Sequence, residues 1–151
     1  MLILTITFTA QLTALAADTT KTVTSSKAMS IALNPGTTGN SNTITFNFSS
    51  LPSNAIVKEI KVDASNASAI GGLGAILAQT LTITSPVGET KTVTWGRGNV
   101  TSTSAFIADS ARGTWSIYMT GTNVASASSG SQFIGGTKYL SVKMTITYVL
   151  E

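Results

Sequence analysis

The sequence contains neither cysteine nor histidine. Without an imidazole there is no Ser-His-Asp or Cys-His nucleophile, because both arrangements depend on a His base. Zinc fingers and His-ligated catalytic metals, which draw on Cys and His, are excluded with them. Thiol redox chemistry is excluded too. Charge is also scarce. Nine Lys or Arg and six Asp or Glu give 10% charged residues and a formal net charge of +3, where a soluble domain carries about 25%. The basic residues are dispersed, with Lys58 and Lys61 the only close pair. Nucleic-acid binding needs clustered Lys and Arg beside stacking aromatics, so no nucleic-acid partner is expected. Of the carboxylates, Asp18 and Glu151 lie near the chain ends. Glu59, Asp63, Glu89 and Asp109 remain for any acid-base chemistry.

In place of charge the chain has hydroxyls. It holds 26 Thr and 19 Ser, about 30% of 151 residues. The length fits one domain. A chain of this size buries about 68–70% of its unfolded surface, so it needs no disulfide or metal to fold.

Residues 2–16, LILTITFTAQLTALA, carry no charge and end in Ala14-Leu15-Ala16 before Ala17-Asp18. Small residues at these positions suit a signal peptidase, and the run is short for a transmembrane helix, which needs about 20 residues. Residues 1–16 therefore read as a signal peptide, although no Lys or Arg precedes the run. The alternative is a retained strand. Leu4, Ile6, Phe8, Ala10, Leu12 and Ala14 alternate with polar residues at period 2, and such a strand could be donated to a neighbouring subunit. Residues 17–28 read as a flexible lead-in, and residues 29–151 as a single domain.

Within that domain the apolar residues alternate in short runs. The expected strands cover 29–33, 44–48, 55–64, 79–84, 90–95, a short piece at Phe106-Ile107, 114–120 and 138–149. In the third, Val57, Glu59, Lys61 and Asp63 are assigned to one face, and Ile56, Lys58, Ile60 and Val62 to the other. Residues 65–78 read as a loop or short helix, and 96–104 as a loop. Asn34-Pro35-Gly36 and Ser85-Pro86-Val87-Gly88 mark turns. The predicted fold class is all-β: an antiparallel β-sandwich, a jelly roll of about eight strands.

The hairpin QTLTITSPVGETKTV and the strand ARGTWSIYMTG resemble consecutive parts of the P domain (Homo B domain) of proprotein convertases and related bacterial proteases. IVKEIKV and YLSVKMTITY occupy the places of a preceding and a closing strand of that family. The similarity spans roughly residues 43–149. It implies a jelly roll with a non-catalytic role. The acidic entry to the family's hairpin strand is replaced here by Ala78-Gln79-Thr80-Leu81, so the resemblance transfers no functional residue.

Four side chains stand out as candidates. Trp95, before Gly96-Arg97-Gly98, could stack on a pyranose ring while Arg97 donates hydrogen bonds; the competing reading closes the core with Trp95 and leaves Arg97 solvated. Tyr118 lies opposite Trp115 on its strand and reads as a surface residue. Asp63 with the carbonyls of 65–68 could contribute to a calcium site; otherwise no cofactor is expected. Glu59 and Asp63 are about 13 Å apart along a strand, beyond the carboxyl separation of about 5–9.5 Å that a glycosidase uses. Three sequons, at Asn47, Asn66 and Asn99, are no more than chance gives for this composition. The expected function is a secreted or cell-surface, non-catalytic structural, adhesive or accessory protein, with extracellular proteins or further copies of itself as partners and no stable membrane insertion of the mature chain. A matrix or filament subunit fits that expectation. The alternative is a carbohydrate-binding module using Trp95, Arg97 and Tyr118 on a glycan.

Overall fold

The computed structural model describes residues 17–70, 76–125 and 135–151. The signal-peptide and donated-strand readings of residues 1–16 lie outside them. The described residues form twelve strands and one 3-10 turn: β1 (Thr19–Thr24), β2 (Met29–Leu33), β3 (Thr38–Asn40), β4 (Ile44–Asn47), β5 (Ala55–Asp63), β6 (Ala67–Ile70), β7 (Ile76–Thr84), β8 (Thr90–Thr94), the turn Arg97–Asn99, β9 (Val100–Thr103), β10 (Thr114–Asn123), β11 (Gly135–Tyr139) and β12 (Lys143–Leu150). Every strand pairing is antiparallel. Among these residues no helix is long and apolar enough to cross a membrane.

The strands form three sheets. One is ordered β1-β12-β5-β9. A second is ordered β3-β10-β7-β8, with β4 also on β10, and a third β2-β11-β6. Alternation drives the arrangement. Along β10, Trp115, Ile117 and Met119 are buried while Ser116, Tyr118 and Thr120 are half-buried on the other face. Along β12, Met144 and Ile146 are buried between Lys143, Thr145 and Thr147. These inner faces join Ile44, Phe46, Val57, Ile60, Leu81 and Ile83 in one core, so the sheets pack as a sandwich. Full burial of each such side chain stabilises by about 1.5–3 kcal/mol. Phe106 meets Trp115 edge to face at 5.1 Å, and the indole Nε1 donates to the Ala111 carbonyl at 3.0 Å, so the largest aromatic keeps its polar atom satisfied inside the core.

The all-β sandwich is as the sequence predicts, with twelve strands among the described residues in place of about eight. The lead-in expected to be flexible instead contains β1, which pairs with β12 over six positions and packs Val23 against the core. Its Thr-rich sequence hides a strand because only one side chain turns inward. Residues 67–70 and 100–103 are strands rather than loop or helix. Phe106 is in a turn and not a strand: its ring is buried while Ile107 faces solvent. The closing strand is two strands, interrupted where Ser141 adopts φ +51°.

The largest departure is in β5. Its register with β12 shifts between Thr147 and Tyr148, which oppose Glu59 and Val57. Lys58 is the extra residue of a bulge. Lys58 and Glu59 are therefore both exposed, and Val57 is buried with Ile60 and Val62 instead of sharing a face with Glu59, Lys61 and Asp63. A bulge reverses the side-chain phase of everything before it, and strict alternation does not foresee it.

Candidate functional site

The Trp95 loop follows β8. Gly96 is a steric requirement there, because a Cβ would lie 1.7 Å from the Val100 carbonyl oxygen. Trp95 Nε1 donates to Asn99 Oδ1 at 2.9 Å. Its ring tilts against Tyr139 at 5.4 Å and 51° and packs on the core. Burial raises the Tyr139 phenol above its ordinary pKa. Both the face and the polar atom of Trp95 are thus engaged within the protein. Arg97 is exposed in the following turn. Tyr118 is on the outer face of the five-stranded sheet, directly opposite Thr82.

Asp63 lies beside a hollow of about 100 Å³ with Ser65, Asn66, Ser141 and Lys143. Its Oδ1 accepts the Ser65 backbone N–H at 3.0 Å. The Ser65 hydroxyl and amide, then Lys143 and Lys61, hold its carboxyl below the usual range. One carboxylate capping a turn against two ammonium groups is a poor donor set for calcium, which takes 6–8 oxygens with carboxylates prominent. Among the described residues, no three Asp or Glu side chains gather into a metal-sized group. Lys58 pairs with Asp18 at 2.8 Å, both about half exposed, so the pair adds little stability. It rims a polar depression of about 620 Å³ with Glu59, Ser102 and Ser104.

One carboxylate pair was not legible in the spacing. Glu89, in the β7–β8 turn, and Asp109, in the loop before β10, lie near enough for each to shift the other's carboxyl. Lys91 pairs with Glu89 at 2.5 Å. Desolvation, then the Glu89 charge, raises the Asp109 carboxyl above its usual range, and Lys91 lowers that of Glu89. Asp109 Oδ2 is buried with no hydrogen-bond partner. The two residues are twenty positions apart, and only the packing of the hairpin turn on the later loop unites them.

The outer face of the five-stranded sheet carries a regular array. Thr92, Thr82 and Tyr118 form its middle row. Thr94, Thr80, Thr120 and Asn40 form the row on one side, and Thr90, Thr84, Ser116 and Thr45 the row on the other. None of these positions is charged. Hydroxyls pair across strands: Thr82 with Thr92 at 3.0 Å, Thr84 with Thr90 at 3.2 Å and Thr38 with Thr122 at 2.6 Å. Thr120 donates to Asn40 Oδ1 at 2.8 Å. Lys61, Asp63 and Lys143 lie instead on the outer face of the four-stranded sheet. Of the candidate side chains, the structure brings Trp95 and Arg97 into one loop and places Tyr118 and Asp63 elsewhere.

No family model and no curated protein matches the chain. Among solved structures it is similar to a crystal structure of FlhE, at 11% identity and a TM-score of 0.45, over 89% of this chain and 99% of that one. It is also similar to a chain in the crystal structure of the Aeromonas sobria serine protease and chaperone ORF2 complex, at 14% identity and a TM-score of 0.42. That match covers 89% of this chain and 27% of the other.

Proposed function

We propose that this chain is a secreted or cell-surface β-sandwich with a structural, adhesive or accessory binding role and no catalytic activity of its own. The observation that carries the reading is how its most reactive-looking side chains are employed. Trp95 is held by Tyr139 and Asn99, and Asp63 caps the turn at Ser65. These residues serve the fold. The hydroxyl-clad sheets suit an extracellular domain that stays soluble at low charge, and the likeness of the hairpin and the Gly-Thr-Trp strand to P domains supports an accessory role. Partners in this reading are extracellular proteins, further copies of the chain, or glycans.

The test is expression of the full chain in a secreting bacterium, with the product located by fractionation and its N-terminus read by mass spectrometry. Recovery outside the cytoplasm, beginning at Ala17, supports the reading and removes donation by residues 4–14. Retention in the cytoplasm overturns it. Incubation with glycoside and ester substrates checks the non-catalytic part, since turnover lost in Asp109→Asn would make the Glu89–Asp109 pair catalytic.

A further inference from the structure

We infer that the Tyr118 face of the five-stranded sheet is a docking surface for a neutral polysaccharide. The inference rests on the non-catalytic binding role proposed above and names its partner class. It moves the glycan site from the Trp95 loop to a sheet face, a hydroxyl array around one aromatic ring.

Charge comes first. The face has no Lys, Arg, Asp or Glu across its three central rows, while charged residues line the other sheet's outer face. A nucleic acid or an anionic membrane needs cations to neutralise phosphates, and an acidic polysaccharide needs them for the same reason. Protein interfaces are anchored by aromatic, Met and Arg side chains in a desolvated centre, and here a single Tyr stands among Thr. The complement of a neutral, hydroxylated plane is a ligand that is itself neutral and hydroxylated.

The hydrogen-bond pattern supports that match. In the exposed Thr84–Thr90 pair one hydroxyl donates to the other, which leaves one proton and several lone pairs facing outward, while buried Thr82 anchors the exposed Thr92 beside Tyr118. The cross-strand bonds fix the hydroxyl directions before any ligand arrives, so less rotamer entropy is lost on binding. Rows repeat at about 4.5–5.5 Å across strands and about 6.7 Å along them, a two-dimensional grid of donors and acceptors. Tyr118 stands in its centre, flanked by Ser116, Thr120 and Thr82. It supplies a rigid ring that is apolar on its face and polar at its tip, the shape that stacks on the C–H face of a pyranose. The array ends at the β7 bulge between Thr120 and Gly121, beyond which Leu77 is exposed.

The test uses the full chain in pull-down on microcrystalline cellulose and chitin, and in affinity electrophoresis through hydroxyethylcellulose and laminarin. Heparin and alginate serve as charged controls. Retention on at least one neutral polymer is expected, unchanged between low and high salt. Tyr118→Ala should weaken it about tenfold, or about 1.4 kcal/mol. Thr92→Glu, at an exposed position, should weaken it more than Thr92→Val, which loses the same bond to Thr82 without adding charge, and Arg97→Ala should leave it unchanged. No retention on any neutral polymer overturns the inference. So does retention indifferent to Tyr118→Ala and Thr92→Glu, or binding to heparin alone. A dimer seen by sedimentation without polysaccharide and broken by Thr92→Glu would make the face an interface between copies, and overturns it too. Loss of retention with the N-terminus still at Ala17 leaves the extracellular role standing. Retention accompanied by polymer cleavage removes the non-catalytic role and keeps the docking surface.

Discussion

Pro86 packs onto Gly113 so closely that a Cβ on residue 113 would lie 2.6 Å from the proline Cβ. Gly113 has φ +131°, and its carbonyl accepts the Phe48 amide at 2.8 Å. The Ser-Pro-x-Gly turn and the Gly-Thr-Trp strand are therefore halves of one packing unit that joins the β7–β8 hairpin to the start of β10. The proline ring of one motif requires the missing side chain of the other.

Gly113→Ala combines two penalties, a left-handed backbone and a contact with a rigid ring. The conformational part alone is about 1–3 kcal/mol, and each kcal/mol lowers the melting temperature of a domain this size by about 2–4 °C. Gly88→Ala isolates that part, because Gly88 has φ +89° and nothing within 4 Å of a Cβ. Thermal denaturation should rank Gly113→Ala clearly below Gly88→Ala. Equal losses would show that the Pro86 contact yields without cost.

The same contrast explains how much of the molecule was legible. The hairpin, the β10 alternation and the burial of Trp115 follow from period-2 patterning and turn residues, which are local. The β5 bulge, the pairing of Thr19–Thr24 with β12 and the meeting of Glu89 with Asp109 depend on partners distant in sequence. Thr disguised several elements. It favours the pleat yet is polar, so strands with few inward apolar residues read as loops. The site suffered likewise: Trp95 was visible as an aromatic beside glycines, but not Tyr139 across from it.

The bulge at Lys58 can be tested by paired substitutions. Val57 is buried and Ile56 is half-buried against a shallow apolar groove beside Ile107. Val57→Thr places a hydroxyl in the core and should reduce stability by about 1–3 kcal/mol. Ile56→Thr should reduce it less. Urea denaturation gives both values, and the reverse order would restore unbroken alternation through β5.

Trp95 should prove structural. Trp95→Phe keeps an aromatic ring against Tyr139 but removes the bond to Asn99, a loss of about 0.5–1.5 kcal/mol. Trp95→Ala removes ring and bond together and should lower stability by about 3–5 kcal/mol, toward the lower end because the site is half-buried. Chemical denaturation measures both losses. Neutral-polysaccharide retention of the folded Phe variant should equal that of the wild type. Loss of retention in Trp95→Phe at unchanged stability would return the glycan site to this loop.

Asp109 and Glu89 should give the stability curve an unusual acid limb. The Asp109 carboxyl sits above its ordinary 3.8, so its folded form binds a proton more tightly than the unfolded chain. Its contribution is fully present below that value and is lost as pH rises through the raised one. Glu89 sits below its ordinary 4.5 and contributes in the opposite sense, present above that value and lost on acidification. At neutral pH the pair therefore retains two facing carboxylates, one with a buried oxygen that lacks a donor. Asp109→Asn replaces that repulsion with an amide that donates to Glu89. The melting temperature should rise at pH 7, with a net hydrogen bond contributing about 0.5–1.5 kcal/mol. The gain should shrink toward pH 3, where the Asp109 proton already makes the same bond in the wild type. Melting curves of both proteins between pH 3 and pH 7 measure the difference. A variant less stable at pH 7 would mean that Asp109 is held as a carboxylate by Lys91 and that its charge supports the fold.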